Sequence, residues 1–107
     1  MFRIYLKIIS KTFEQHEIFK VSELKYQKLT KSVNHPSSEG IIFKTNIFAG
    51  EIFYYSNGEM EYLELEFLIF SGEKFESQIV EKIKKSELNK IVSEFLTERL
   101  IQLKNVA

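Results

Sequence analysis

Three features of this sequence predict an α+β fold. Period-2 alternation opens the chain, a β-branched and aromatic stretch interrupted at Asn57-Gly58 fills its middle, and helical spacing of apolar residues closes it. The expected architecture is an antiparallel sheet of about four strands, an N-terminal strand plus a β-meander, with one short helix and two C-terminal helices packed on one face. The 107 residues suit one domain spanning 1–107. With 44% apolar residues and fifteen aromatics the chain can bury a core.

The elements follow in order. In residues 2–9, Phe2, Ile4, Leu6 and Ile8 alternate with Arg3, Tyr5, Lys7 and Ile9, which predicts a half-buried strand. Residues 11–21 are open between strand and helix. Ser22 reads as an N-cap, and Tyr26, Leu29 and Val33 at i, i+3 and i+7 predict a short helix over 22–33. A Pro- and Ser-containing loop follows from Asn34 to Gly40. The meander then runs roughly 41–48, 51–56 and 59–70, with a turn or bulge expected at Ala49-Gly50. Past Ser71-Gly72, Phe75, Ile79 and Ile83 share one helical face. Leu88, Ile91, Val92, Phe95, Leu96, Leu100 and Leu103 form another, with a break near Lys85-Ser86.

A two-residue Asn57-Gly58 turn fixes a register in which Tyr55 opposes Met60, Phe53 opposes Tyr62, Ile52 opposes Leu63 and Glu51 opposes Glu64. Ile52, Tyr54, Leu63, Leu65, Phe67 and Ile69 then share the core face. Glu51, Phe53, Tyr55, Met60, Tyr62, Glu64 and Glu66 share the other.

Charge sharpens the interest of that second face. Fifteen Lys+Arg and fifteen Glu cancel, with no Asp, yet the cancellation is uneven along the chain. Residues 1–50 carry eight bases and four Glu, 51–72 carry five Glu and no base, and 73–107 carry seven bases and six Glu. One reading is a solvated face whose glutamates are offset by Arg3, Lys7 or Lys44. The other is a protein-docking face, with Phe53, Tyr55 and Tyr62 at its centre and Glu51, Glu64 and Glu66 as an acidic rim.

Much chemistry is excluded by composition. Zero Cys removes thiol catalysis, disulfides and zinc knuckles, and zero Asp removes aspartate-based metal loops. The four Gly are isolated, so no phosphate-cradling loop exists. His16 and His35 stand nineteen residues apart without ligand spacing and read as surface or loop residues. No uncharged run exceeds seven residues, so no membrane span is expected, and a cytoplasmic location is the default. No cofactor is implied, and no metal site.

The leading expectation is a non-enzymatic protein-binding module acting on a partner with a basic patch. An inhibitor, immunity or anti-defence protein fits that description. Phe, Tyr, Met, Ile, Asn and Lys make up 48 residues against nine of Gly, Ala, Arg and Pro, pointing to an AT-rich source such as a mobile element. One alternative is a small enzyme or ligand-binding domain using Glu51 and Glu64 as a carboxylate pair. A second is nucleic-acid binding through the basic N-terminal half, including Lys11, Lys20, Lys25, Lys28 and Lys31. A homodimer seam on the C-terminal helix, where Ile101 lies outside the main stripe, is also open.

Overall fold

The structure is a computed structural model that describes residues 4–31, 37–56 and 60–106. It is α+β, as the sequence predicts, with one more strand and differently placed helices. Helix α1 (Ile4–Gln15) leads through a 3₁₀ turn (Glu17–Lys20) into five strands. These are β1 (Lys25–Lys31), β2 (Ser37–Lys44), β3 (Phe48–Ser56), β4 (Glu61–Ile69) and β5 (Lys74–Glu81). Helix α2 (Lys85–Val106) ends the chain. The strands form a pure antiparallel meander in the order β1-β2-β3-β4-β5, with both helices on one face.

Three sequence expectations are corrected. Residues 2–9 are predicted as a strand, yet from Ile4 onward the chain is helical. The apolar run at 4–9 satisfies either period, and the continuation decides between them. Ile9, Thr12 and Phe13 are buried while Lys7, Lys11 and Glu14 are exposed, a helical stripe. The predicted 22–33 helix is the edge strand β1, because Tyr26, Lys28 and Thr30 also alternate and pair with Phe43, Ile41 and Glu39. The first of the two predicted C-terminal helices is β5. Phe75 and Ile79 lie four apart, a spacing that a strand face and a helix face share. The break expected near Lys85 is where α2 begins, as a single helix.

The core lies between the helices and one sheet face. Ile41 and Phe43 (β2), Ile52 and Tyr54 (β3), and Leu63, Leu65, Phe67 and Ile69 (β4) are buried there. Against them pack Ile9 and Phe13 of α1 and Leu88, Val92, Phe95 and Leu96 of α2. Gly50 is neither turn nor bulge. It sits mid-strand between Phe43 and Phe67, where an added Cβ would lie 2.5 Å from the Phe43 ring. The turn falls instead at Thr45, whose Oγ1 accepts hydrogen bonds from the N–H groups of Ile47 (3.0 Å) and Phe48 (3.3 Å).

The start of α1 is fixed by a residue distant in sequence. Glu39, 1% exposed on the core face of β2, accepts a 2.6 Å hydrogen bond from the Leu6 backbone N–H. A carboxylate at a helix N-terminus satisfies an otherwise unbonded amide and meets the positive end of the helix dipole. At the preceding residue, Tyr5 stacks on Tyr54, the residue paired with Glu39, with ring centroids 3.6 Å apart, and Tyr54 donates its hydroxyl hydrogen to Glu61. Replacing Glu39 with Ala should therefore destabilise the protein by about 1.5–3 kcal/mol, the range for a charge-assisted hydrogen bond. Urea unfolding monitored by circular dichroism measures this, and a loss within a few tenths of a kcal/mol of zero would refute the anchoring role.

Candidate functional site

Because both helices lie on one side, no layer among the described residues covers the other sheet face. Across its centre run Ile42 (β2), Glu51 (β3), Glu66 (β4) and Ser77 (β5). The next row holds Leu29, Gly40, Phe53, Glu64 and Ile79, and the one beyond it Lys31, Ser38, Tyr55, Tyr62 and Glu81. Glu51, Phe53, Tyr55, Tyr62, Glu64 and Glu66 thus share this face, as the alternation in the sequence requires.

Their register differs from the sequence expectation by two residues. Tyr55 pairs with Tyr62, Phe53 with Glu64 and Glu51 with Glu66, so four residues connect the last pair, Ser56 and Glu61. The Asn57-Gly58 turn itself lies outside the described residues. A slip of two preserves the faces, whereas a slip of one would have exchanged them. It does change which groups meet. Glu51 and Glu64 are not opposite each other, and the facing pair of carboxylates is Glu51 with Glu66.

The aromatic residues divide into support and contact surface. Phe53 is only 7% exposed, flanked by the Tyr55 ring at 6.1 Å, and so is not the free anchor that the sequence suggests. Opposite it stands Gly40, where a Cβ would sit 2.0 Å from the Ile52 carbonyl oxygen, closer than any side chain allows. Tyr55 and Tyr62 are half-buried and stack at 4.9 Å with planes 15° apart, presenting one rigid aromatic surface. Burial, then the charges of Glu64, Glu51 and Tyr62, push the Tyr55 hydroxyl up to about 12, so it remains a hydrogen-bond donor at neutral pH.

Among the described residues, the ion pairs are Lys28–Glu14, Arg99–Glu76 and Arg99–Glu98, and none reaches Glu51, Glu64 or Glu66. Lys7 is on α1, across the sheet, and Arg3 lies outside the described residues. Lys44 occupies a corner of the open face. With Lys25, Gln27, Ile42, Ala49 and Glu51 it lines a shallow concavity of about 350 Å³. Glu64 and Glu66 are not part of that concavity, so it does not enclose a carboxylate pair. Among the described residues no three His or Glu side chains could hold a metal ion together. The N-terminal lysines are equally dispersed. Lys11 is on α1, Lys20 on the 3₁₀ turn, and Lys25 and Lys28 point to opposite faces of β1.

Comparison with protein-family models, with curated proteins and with solved structures returned no match. No helix among the described residues is long and apolar enough to cross a membrane.

His16, a surface or loop residue by sequence, has a structural place away from this face. Its Nδ1 accepts the Ile18 N–H at 3.0 Å, capping the 3₁₀ turn, and its Nε2 lies 2.9 Å from Thr97 Oγ1 of α2. Burial lowers its pKa, against an opposing pull from Glu17. A depressed histidine pKa means the unfolded chain takes up the proton first. Its contribution is therefore complete above pH 6.5 and is lost as pH falls through and below that value. His16→Asn keeps the cap and should flatten this part of the stability–pH profile. A slope identical to that of the unaltered chain would show that another group titrates. His35 lies outside the described residues.

Glu66 gives the opposite slope. Burial, then the hydrogen bond and charge of Glu51, raise its pKa above the ordinary 4.5. The folded chain holds this proton longer than the unfolded chain, so the Glu66 contribution to stability falls as pH rises above about 4.5. Glu66→Gln should stabilise the protein at pH 7 by about 0.2–1 kcal/mol, the cost of like charges opposite each other on a sheet. The gain should fade toward pH 4, and thermal unfolding across that range reads it directly. A variant less stable than the parent at pH 7 would contradict the assignment.

Proposed function

We propose that this chain is a non-enzymatic protein-binding module whose uncovered sheet face docks a partner bearing a basic patch. One observation carries the reading. Among the described residues, three carboxylates that join no ion pair surround a stacked Tyr55–Tyr62 pair on the broad sheet face opposite the helices. Tyrosine brings large contact area at low entropic cost, and a rim of one charge sign accelerates encounter with the opposite sign and rejects like-charged competitors. In this arrangement Tyr55 and Tyr62 make the contact and Phe53 supports them from beneath. Glu51, Glu64 and Glu66 select the partner. The role is that of an inhibitor, immunity or anti-defence protein, which needs a complementary surface and no reaction centre.

The face is also unlike that of a nucleic-acid binder, because its aromatic platform is ringed by acid. Charge reversal tests the proposal. Using the protein partner captured by the unaltered chain, the double variant Glu64→Lys and Glu66→Lys should associate at least about tenfold more slowly at low salt. The difference should shrink as salt is added. Reversing Lys90 on the solvent side of α2 should change neither rate. Association kinetics unaffected by the double variant, with the fold intact by circular dichroism, would rule out this face.

A further inference from the structure

The two edges of the sheet are built differently. β1 has lysines at 25, 28 and 31, the kind of charged edge that discourages pairing with another chain. Among the described residues β5 has no strand on its outer side, and on the open face it carries Phe75 and Ile79, each 57% exposed. Lys74 and Glu76 of β5 lie on the helix side, so two large apolar side chains on the open face of this edge are an exception to the usual protection of sheet edges.

We propose that β5 pairs antiparallel with β5 of a second copy, forming a two-fold dimer with a continuous ten-stranded sheet. The sequence of β5 specifies the register. A two-fold axis perpendicular to the sheet keeps both open faces on one side, so only residues of the same face can stand opposite each other. Centred on Ser77, the axis sets Phe75 against Ile79 of the second copy and Ile79 against its Phe75. On the other face Glu76 meets Gln78, and Lys74 meets Val80. Glu81 falls beyond the last pair. Centring on Glu76 instead would force two carboxylates together, and centring on Gln78 would set Phe75 against Glu81. Only the Ser77 register pairs aromatic with β-branched residues twice, the combination that stabilises adjacent strands.

Charge does not oppose this register. The two Glu66 side chains are separated by three strand spacings, about 14 Å, which exceeds the Debye length of about 8 Å at physiological salt. A consequence, resting on the docking role proposed above, is that the dimer presents two acidic faces side by side and binds a repeated basic partner bivalently. The dimer itself is independent of that role.

The chain has no cysteine, so Ser77→Cys introduces a single thiol on the proposed axis. Under copper–phenanthroline oxidation it should cross-link to a disulfide dimer far faster than Thr30→Cys on β1. Sedimentation equilibrium of the unaltered chain should give twice the 12.7 kDa chain mass. Ile79→Lys should raise the dimer dissociation constant at least about tenfold, about 1.4 kcal/mol, while Ile101→Lys on α2 leaves it unchanged. Circular dichroism confirms that each variant is folded. A monomer at every concentration up to the solubility limit overturns the proposal. So does a dimer lost with Ile101→Lys but kept with Ile79→Lys, or equal cross-linking at positions 30 and 77.

Discussion

Two helices can cover only one face of a five-stranded sheet, and the rest of this molecule follows from that limit. The covered face takes the fully buried aliphatic residues and the Phe13, Phe43, Phe48 and Phe67 cluster. Burial of that surface supplies the main stabilisation. The helices are held in place by polar contacts that reach across the fold. Glu39 bonds the first turn of α1, and His16 links the end of α1 to Thr97 on α2. The uncovered face has to be stable against water with only its own side chains.

It achieves this with rings and carboxylates together. Phe53 lies in the space beside Gly40, Tyr55 and Tyr62 stack, and the glutamates keep the surface hydrated. The cost is electrostatic. Glu51 faces Glu66, and burial, then the hydrogen bond and charge of Glu51, raise the Glu66 pKa above its ordinary value. A sheet selected for stability alone would place a lysine at one of these positions. Under the proposed docking role the repulsion has a use, since a cationic partner would relieve it on binding.

The strand-face assignment of the central residues was legible in the sequence because alternation survives a register error of two. The pairing was not, since Asn57-Gly58 suggests a two-residue turn and the ladder closes at Ser56–Glu61. Elements whose apolar residues fit both periods were misread. Ile4 to Ile9 is a helix because Thr12 and Phe13 extend the stripe, and Phe75 to Ile79 is a strand because β4 offers it a ladder. Neither the lateral pairing of β1 nor the capping of α1 by Glu39, thirty-three residues from Leu6, leaves a local signal. The close backbone approach of Ile52 and Phe53 requires Gly40, which in sequence resembles the end of a loop.

The claim that the uncovered face is the docking surface is tested most directly by amide hydrogen exchange of the chain bound to its captured partner. Protection should appear in residues 49–55 and 61–68, with α2 exchanging as it does in the free chain. Protection confined to α1 and α2, with β3 and β4 unchanged, would contradict the account.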